Sequence, residues 1–473
     1  MSGYDLVVIG LGAGGSAASR FASEHLGLRV AAVERSRIGG SRLWSGSVPS
    51  KTLAASARAA RAVHDAGRFG ISVPSAEVDL AAVWSRLTSV REAVAGTGTN
   101  AALLRSLGVD VYEGSARITG ARAVTVDTGS GTVDLACRFV LVSTGSRPTI
   151  PPLPGLHEIE HLTSDTLFEL ERPPASLVMI GGGPIATELA QAMVRLGVPT
   201  TVVEAAHRLV PTDEPELADR LGQVLRSEGV DLRLATTATG VRPGGDGVIV
   251  ETDDGEHTAA GLLIASGRTA NVDGLGLDRL GVPVTSSGIE VDGRNRTLVP
   301  TIYVVGDAAI GRPPYAHSAA HDAVTAVRDM FLPGRSVPAQ LVPWCTFTDP
   351  ELAGVGLTAS DARERYGRRS VRVLRHDLAD DDRARADGAT VGMISVVAVK
   401  DRIVGAHALA PRAGEMIHEL AMAIRFGVRL DELADLVHVD PTFSAGIGRI
   451  GTERSFALAR RLRPFVRISR WLG

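Results

Sequence analysis

Two stretches of this chain have the residue types and spacing of a dinucleotide site. In the first, Gly10-x-Gly12-x-x-Gly15 follows the apolar run Asp5 to Ile9, and a helical stretch from Ser16 to Glu24 leads to Val30-Ala31-Ala32-Val33 and then Glu34. In the second, Gly181-Gly182-Gly183-Pro184-Ile185-Ala186 follows Ser176 to Ile180, and a helical stretch ending at Leu196 leads to Thr200-Thr201-Val202-Val203 and then Glu204. The first glycine of such a unit permits a tight turn, the second lets backbone approach a pyrophosphate, and a small third residue lets helix pack on strand. The helix N-terminus offers N–H groups and the positive end of its dipole to phosphate. The acid at the strand end accepts from a ribose hydroxyl. A lone G-x-G-x-x-G says little, but here each stands between a strand and a helix with an acid about 20 residues on. Gly10, Gly12, Gly14, Gly15, Glu34 and Arg35 are candidate cofactor contacts in the first unit, and Gly181, Gly183, Ile185, Glu188 and Glu204 in the second. Two units imply two dinucleotides.

Holding these residues requires buried parallel strands, tight βα turns and helices, so the fold expected is α/β with two Rossmann-type domains. A chain of 473 residues is too long for one core. The hydrophobic share of 44% and the 53 glycines fit an α/β protein rich in tight turns. Aromatic residues make up only 4% and the formal net charge is -3, so no nucleic-acid partner is expected. The two cysteines, Cys137 and Cys345, lie far apart and outside any CxxC or zinc spacing, and read as buried thiols of a cytoplasmic chain. Met1 runs almost directly into a strand with no signal-like region, and no apolar run reaches the roughly 18 residues of a membrane span.

Between the two units lies Gly39-Gly40-Ser41-Arg42-Leu43-Trp44-Ser45-Gly46-Ser47-Val48-Pro49-Ser50-Lys51, continuing as a helical stretch to Arg61. This frame resembles the redox segment of the class I pyridine nucleotide-disulfide oxidoreductases, the flavoprotein family of lipoamide dehydrogenase, glutathione reductase and mercuric reductase. The family segment reads G-G-T-C-x-N-x-G-C-x-P-S-K. Here Arg42 and Ser47 hold the two cysteine positions, and Trp44 stands where the asparagine does. Serine forms neither a charge-transfer thiolate nor a disulfide, and arginine is no nucleophile. The resemblance implies FAD in the first unit and a nicotinamide in the second. It puts Lys51 near flavin N5, paired with Glu188, where a cation stabilises reduced, anionic flavin. The alternatives are a solvated helix lysine and an exposed helix acid. Thr144-Gly145 resembles the turn at which the family chain leaves its flavin domain, and Gly267-Arg268 the turn at which it returns, with Ala270 for a proline. Gly306-Asp307 matches the aspartate that binds the flavin ribityl chain, and Ala316-His317 the helix start beneath the flavin pyrimidine edge. Glu204 favours NADH, because a carboxylate repels a 2′-phosphate, while the nearby Arg208 pulls the other way.

From Val342 the chain resembles the family's dimerisation domain, which implies a homodimer. The expected division is an FAD-binding domain over 1–148 that resumes over 271–340, an NAD(P)-binding domain over 149–270, and an α+β dimerisation domain over 341–473. The family's C-terminal motif reads H-x-H-P-T-x-x-E. In this chain Asp440 replaces the histidine acid–base and Ala445 its glutamate, while His438 remains two residues early, as a satisfied structural histidine or a relocated base. If the family geometry holds, Arg42 of one subunit faces Asp440 of the other. His317 and His321 share a helix face but lack a third ligand, so no metal is expected. Arg454, Arg460, Arg461, Arg463, Arg467 and Arg470 interleave with Phe456, Leu458, Leu462, Phe465, Ile468 and Trp471, and Pro464 interrupts the run. Such a stretch can lie on an anionic membrane, but a disordered or dimer-packed tail is favoured.

The activity expected is therefore an FAD-dependent NAD(P)H oxidoreductase that passes electrons to a non-disulfide small molecule, with a quinone first. Its working residues are Lys51, Glu188, Arg42, Ser47, Asp440 and His438. The alternatives are a catalytically silent flavin-binding structural or regulatory protein, and a specialised biosynthetic flavin oxidase or reductase.

Overall fold

A computed structural model of the chain describes residues 3–74, 77–98, 100–334 and 341–472. They fall into two compact units, one of Met1–Gly181, Arg195–Pro199 and Ala238–Gln340, the other of Gly182–Val194, Thr200–Thr237 and Leu341–Gly473.

The first unit is built on a parallel sheet. Its strands run in the order Val109–Glu113, Val30–Glu34, Tyr4–Ile9 and Thr132–Val142, and Ile302–Val304 closes the far side. Continuous apolar runs suit strands covered on both faces. The alternation of side chains then sorts them. Val7, Ile9, Ala31 and Val33 enter one buried cluster, and Leu6, Val8, Val30 and Ala32 enter another with Ala323, Ala326 and Val327. The helix Ala13–Arg20 and the helix Ala316–Phe331 approach closely, since a Cβ on Gly14 would come within 3.1 Å of the Ala319 carbonyl oxygen. The long strand Thr132–Val142 serves twice. Its later half lies in the parallel sheet, and its earlier half pairs antiparallel with Ala123–Asp127, which pairs in turn with Ser115–Gly120.

The same unit holds the parallel strands Leu162–Thr163, Gly261–Ile264 and Leu177–Ile180. The short strands Ser146–Pro148 and Arg268–Ala270 pair antiparallel, which brings the expected exit and return segments side by side.

The second unit carries a five-stranded antiparallel sheet in the order Trp344–Thr346, Glu351–Gly356, Arg402–Ala410, Met393–Val399 and Val371–Asp377. Period-two alternation again decides the packing. Ile394, Val396 and Ala398 face the helix Ala413–Phe426 and the start of the helix Ala445–Leu472, while Val397 faces Ala359 and Ala362 of the helix Ala359–Tyr366. The helix Pro184–Arg195 docks here through Gln191, whose amide donates to the Asp349 carbonyl at 2.7 Å and accepts from the Asp349 N–H at 2.8 Å.

Of the two readings of the C-terminal stretch, disordered or dimer-packed, the helical structure removes the first: one helix runs from Ala445 to Leu472 with Pro464 inside it. Proline removes a backbone donor there, but the preceding residues are rich in arginine, leucine and alanine, which favour helix. Arg454 does not belong to an exposed basic face. It is buried and paired with Asp401. The side chains of Phe465, Arg467, Ile468, Arg470 and Trp471 lie outside the described residues. Among the described residues, no helix is long and apolar enough to cross a membrane.

Candidate active site

The two glycine-rich turns have the same local construction. Gly10 has φ +93° and Gly181 has φ +110°, and a Cβ on either would come 2.5 Å from a carbonyl oxygen, that of Ser143 for Gly10 and that of Ala265 for Gly181. Only glycine fits a left-handed residue pressed on backbone in this way. Glu34 then braces the first turn, accepting from Leu11 N–H at 2.7 Å and from Ser36 N–H at 2.9 Å. Glu204 braces the second, accepting from the N–H of Gly182 and from that of Ala206. Gly12 and Gly40 touch through backbone, as a Cβ on Gly40 would lie 2.8 Å from Gly12 Cα. Gly14 and Gly15 are buried in the first turn of the helix, and Arg35 is exposed beside Glu34. Gly183 meets nothing within 4 Å of its open side, and Ile185 is exposed.

A polar chain runs through the expected flavin residues of the first unit. Ser146 Oγ donates to Asp307 Oδ2 at 2.5 Å and accepts from Arg268 Nε at 2.7 Å. Arg268 also donates to the Ser146 carbonyl at 2.8 Å and to Ser164 Oγ at 3.3 Å, and lies 3.8 Å from Asp165. Asp165 accepts from Ser45 Oγ at 2.9 Å. Asp307, beside Gly306, is thereby linked to the loop between Arg42 and Ser47. Thr144 Oγ1 donates to the Asn271 carbonyl at 2.7 Å, and Asn271 N–H donates to the Gly145 carbonyl at 2.9 Å, which ties the exit segment to the return segment beyond Gly267. Ala316 starts the helix Ala316–Phe331, and the His317 ring stacks on Tyr315 with centroids 5.3 Å apart.

The segment with the missing sulfurs forms a short helix, Gly40–Trp44, and then the helix Ser47–His64. Arg42 is exposed and makes no hydrogen bond or ion pair among the described residues. Ser47 is exposed at the first position of its helix, and Lys51, one turn on, is half-buried with Nζ 3.4 Å from Ser50 Oγ. The neighbouring Trp44 is held in a cluster that sequence reasoning missed. Arg37 and Arg91 lie 4.6 Å and 6.0 Å from its ring centroid, and both donate to Glu169 Oε1, at 2.9 Å and 2.8 Å. Burial pushes the Glu169 carboxyl up, but the hydrogen bond from Arg37 and the charge of Arg91 outweigh it and hold the group below the ordinary carboxylate range. No spacing rule connects these three positions. Ser45 and Ser146 sit inside or beside recognised motifs, which is the signal that could have found them, whereas Ser164 and Asp165 lie in none.

In the second unit Glu188 accepts from the Phe347 N–H at 2.9 Å. Lys51 belongs to the first unit and Glu188 to the second. His438 sits with Nε2 2.9 Å from Glu419 Oε1 and Nδ1 3.0 Å from the Leu436 carbonyl. Both ring nitrogens therefore face acceptors within the protein, the arrangement of an anchor for the loop. Asp440 is exposed and makes no hydrogen bond or ion pair among the described residues, and Ala445 is buried at the start of the long helix.

Comparison with known proteins agrees with this construction. Residues 4–323 match the family model described as pyridine nucleotide-disulphide oxidoreductase, and residues 342–449 match the dimerisation domain of the same family. The chain is 32% identical over 466 residues to a dihydrolipoyl dehydrogenase of Bacillus subtilis, covering 94% of this chain and 96% of that protein. It is 35% identical over 452 residues to a mercuric reductase of Streptomyces lividans, covering 92% and 93%. Among solved structures it is similar to the Cu(II) complex of the HOCl-induced flavoprotein disulfide reductase RclA from Escherichia coli, with a TM-score of 0.82, 25% identity, and coverage of 96% and 99%. By sequence over most of its length, the chain belongs to the pyridine nucleotide-disulphide oxidoreductase family.

Proposed function

We propose that this protein is an FAD-dependent NAD(P)H oxidoreductase whose electrons go to a non-disulfide acceptor, a quinone or similar small molecule. Members of its family are FAD-dependent and use NAD(P)H, and its C-terminal part is a dimerisation domain. The observation that carries the reading is an imbalance. Both glycine turns keep their left-handed glycine and their braced glutamate. The two sulfur positions hold Arg42 and Ser47 instead.

The residues fit FAD in the first unit. The close contact of Gly12 and Gly40 keeps side chains out of the place where a pyrophosphate needs backbone. Glu34 would accept from the adenosine ribose, and Gly10, Gly14, Gly15, Thr144, Gly145, Gly306, Asp307, Ala316 and His317 would complete the cradle. The flavin supplies two-electron chemistry, taking hydride from NAD(P)H and giving two electrons to the acceptor. NADH, a proton and a quinone thus become NAD⁺ and a hydroquinone. Lys51 supplies positive charge toward the flavin, and Glu188 a carboxylate on the nicotinamide side, with Gly181, Gly183, Ile185 and Glu204 holding the second nucleotide. NADH is preferred, because Glu204 disfavours a 2′-phosphate and Arg208, the nearby cation, is paired with Asp219 at 3.0 Å. Gly267 and Arg268 close the return into the flavin domain. Under this reading the FAD-binding domain spans 1–148 and 271–340, the NAD(P)-binding domain 149–270 and the dimerisation domain 341–473.

The relatives named above act, by their names, as dihydrolipoyl dehydrogenase, mercuric reductase and disulfide reductase. A chain with no thiol at either position has no mixed disulfide to form. Arg42 offers a forked cation to an anionic or carbonyl oxygen instead. Anaerobic stopped-flow is the test: NADH bleaches the flavin, and menadione reoxidises it while lipoamide and glutathione disulfide do not. A flavin that NADH fails to bleach, or that lipoamide reoxidises at the quinone rate, ends the proposal.

A further inference from the structure

The segment Gly39 to Ser47 is where the family pattern carries its two cysteines, and here no bond of that kind is possible. Its short helix Gly40–Trp44 has five residues, too few to be stable alone. Something else must hold it. Leu43 is buried at 3% exposure, and Trp44 Nε1 donates to the Ile38 carbonyl at 2.8 Å. A further hold comes from outside the segment. Arg91, on the helix Leu80–Thr97, is 5% exposed and donates from Nη1 to the Trp44 carbonyl at 3.0 Å as well as to Glu169.

We propose that Arg91 is a positioning residue for the acceptor site: it grips the backbone of Trp44 and so fixes the helix from which Arg42 meets its acceptor. The inference rests on the reading of Arg42 given above. Stability alone is a poor explanation for the buried guanidinium. Its Nε is buried without a partner among the described residues. Its ion-pair partner Glu169 is exposed, with 40% of its side chain in solvent, and a pair with an exposed carboxylate is worth little, so it is weak evidence of a stability device. Removing this cation also leaves no buried charge behind, because Glu169 keeps Arg37 at 2.9 Å. What Arg91 supplies is one planar nitrogen, Nη1, whose two N–H bonds reach a backbone carbonyl and a carboxylate together. Arg42, two residues before Trp44, is exposed and unbraced, so its direction depends on the helix beneath it.

The test compares Arg91→Met, Arg91→Lys, Arg42→Met and the Arg42→Met/Arg91→Met double variant as flavin-loaded holoenzyme. The probes are 1,4-naphthoquinone-2-sulfonate and the uncharged menadione. Arg91→Met is expected to retain flavin and the NADH reduction rate, and to raise KM for the sulfonate about tenfold with kcat within about twofold. Arg91→Lys recovers part of that loss. In the Arg42→Met background the Arg91 substitution adds nothing, because it acts through Arg42. Hydrogen exchange of residues 41–46 also speeds up in Arg91→Met while the sheet strand Tyr4–Ile9 is unchanged, a readout that needs no turnover. An unchanged exchange rate, an unchanged sulfonate KM, or effects that add in full would overturn the proposal. If wild-type flavin is not reduced by NADH, or the quinones are not reduced, the proposed function has failed instead, and the exchange experiment still decides whether Arg91 holds the segment.

Discussion

Glu34 and Glu204 stand in matching poses at the ends of two strands, each with one carboxylate oxygen on the N–H of its glycine turn and the other on the N–H two residues further on. Glu204 is thus a brace as well as the expected ribose contact. Glu204→Ala removes both roles. It is expected to raise KM for NADH about tenfold or more, to shift KM for NADPH less, and so to narrow the preference between them. Steady-state kinetics with both nucleotides checks this. A preference that survives the substitution intact would show that Glu204 does not read the ribose.

Asp307 is half-buried and accepts from Ser146, which Arg268 also holds. Asp307→Ala leaves the Arg268–Ser146 contact in place and removes the carboxylate proposed to hold the ribityl chain. The fold is expected to persist, and FAD affinity to drop about tenfold to a hundredfold. The ratio of flavin to protein absorbance after gel filtration, with FAD titration of the stripped protein, measures it.

Returning cysteines to positions 42 and 47 restores sulfur without restoring its acid–base partner. Asp440 and Ala445 replace the histidine and glutamate of the family motif, and His438 has both nitrogens engaged. The Arg42→Cys/Ser47→Cys variant should therefore gain two reactive thiols yet reduce lipoamide near background, since positioned acid–base catalysis contributes about a hundredfold or more. Burial pushes the Cys137 thiol up to about 11, but Cys345 is half-buried rather than buried as its sequence context suggested, so the two new thiols are counted as the difference from wild type. Lipoamide turnover at a normal rate in this variant would mean that the proton shuttle resides elsewhere.

The Arg37–Glu169–Arg91 cluster gives a pH signature. The folded-state pKa of Glu169 lies below its ordinary 4.5, so its ion pairs contribute stability that is present above that value and lost as pH falls through the folded-state value. Urea midpoints of wild type and Glu169→Gln should differ more at pH 7 than at pH values well below 4.5. A gap of constant size across that range would deny Glu169 a charged role.

Much of this can be read from residues alone. Period and punctuation place both strand–turn–helix units, because a left-handed glycine and a continuous apolar run carry local physical demands. The missing thiols are legible because a named frame surrounds them. Arg91 and Glu169 are not, since nothing in their spacing marks two residues that meet only through tertiary packing. The long C-terminal helix escapes the same reading at Pro464, where local propensity outweighs one proline. Arg454 escapes it because its partner, Asp401, is remote in sequence.

The strand Ile302–Val304 completes a sheet begun at Tyr4. A nascent chain leaving the ribosome must therefore carry Thr132–Val142 with a raw edge until everything from Ser143 to Thr301 has been made. At roughly 5–20 residues per second that wait is on the order of ten seconds or more. Unpaired apolar edges invite stray pairing. That edge is accordingly where a chaperone would act during translation.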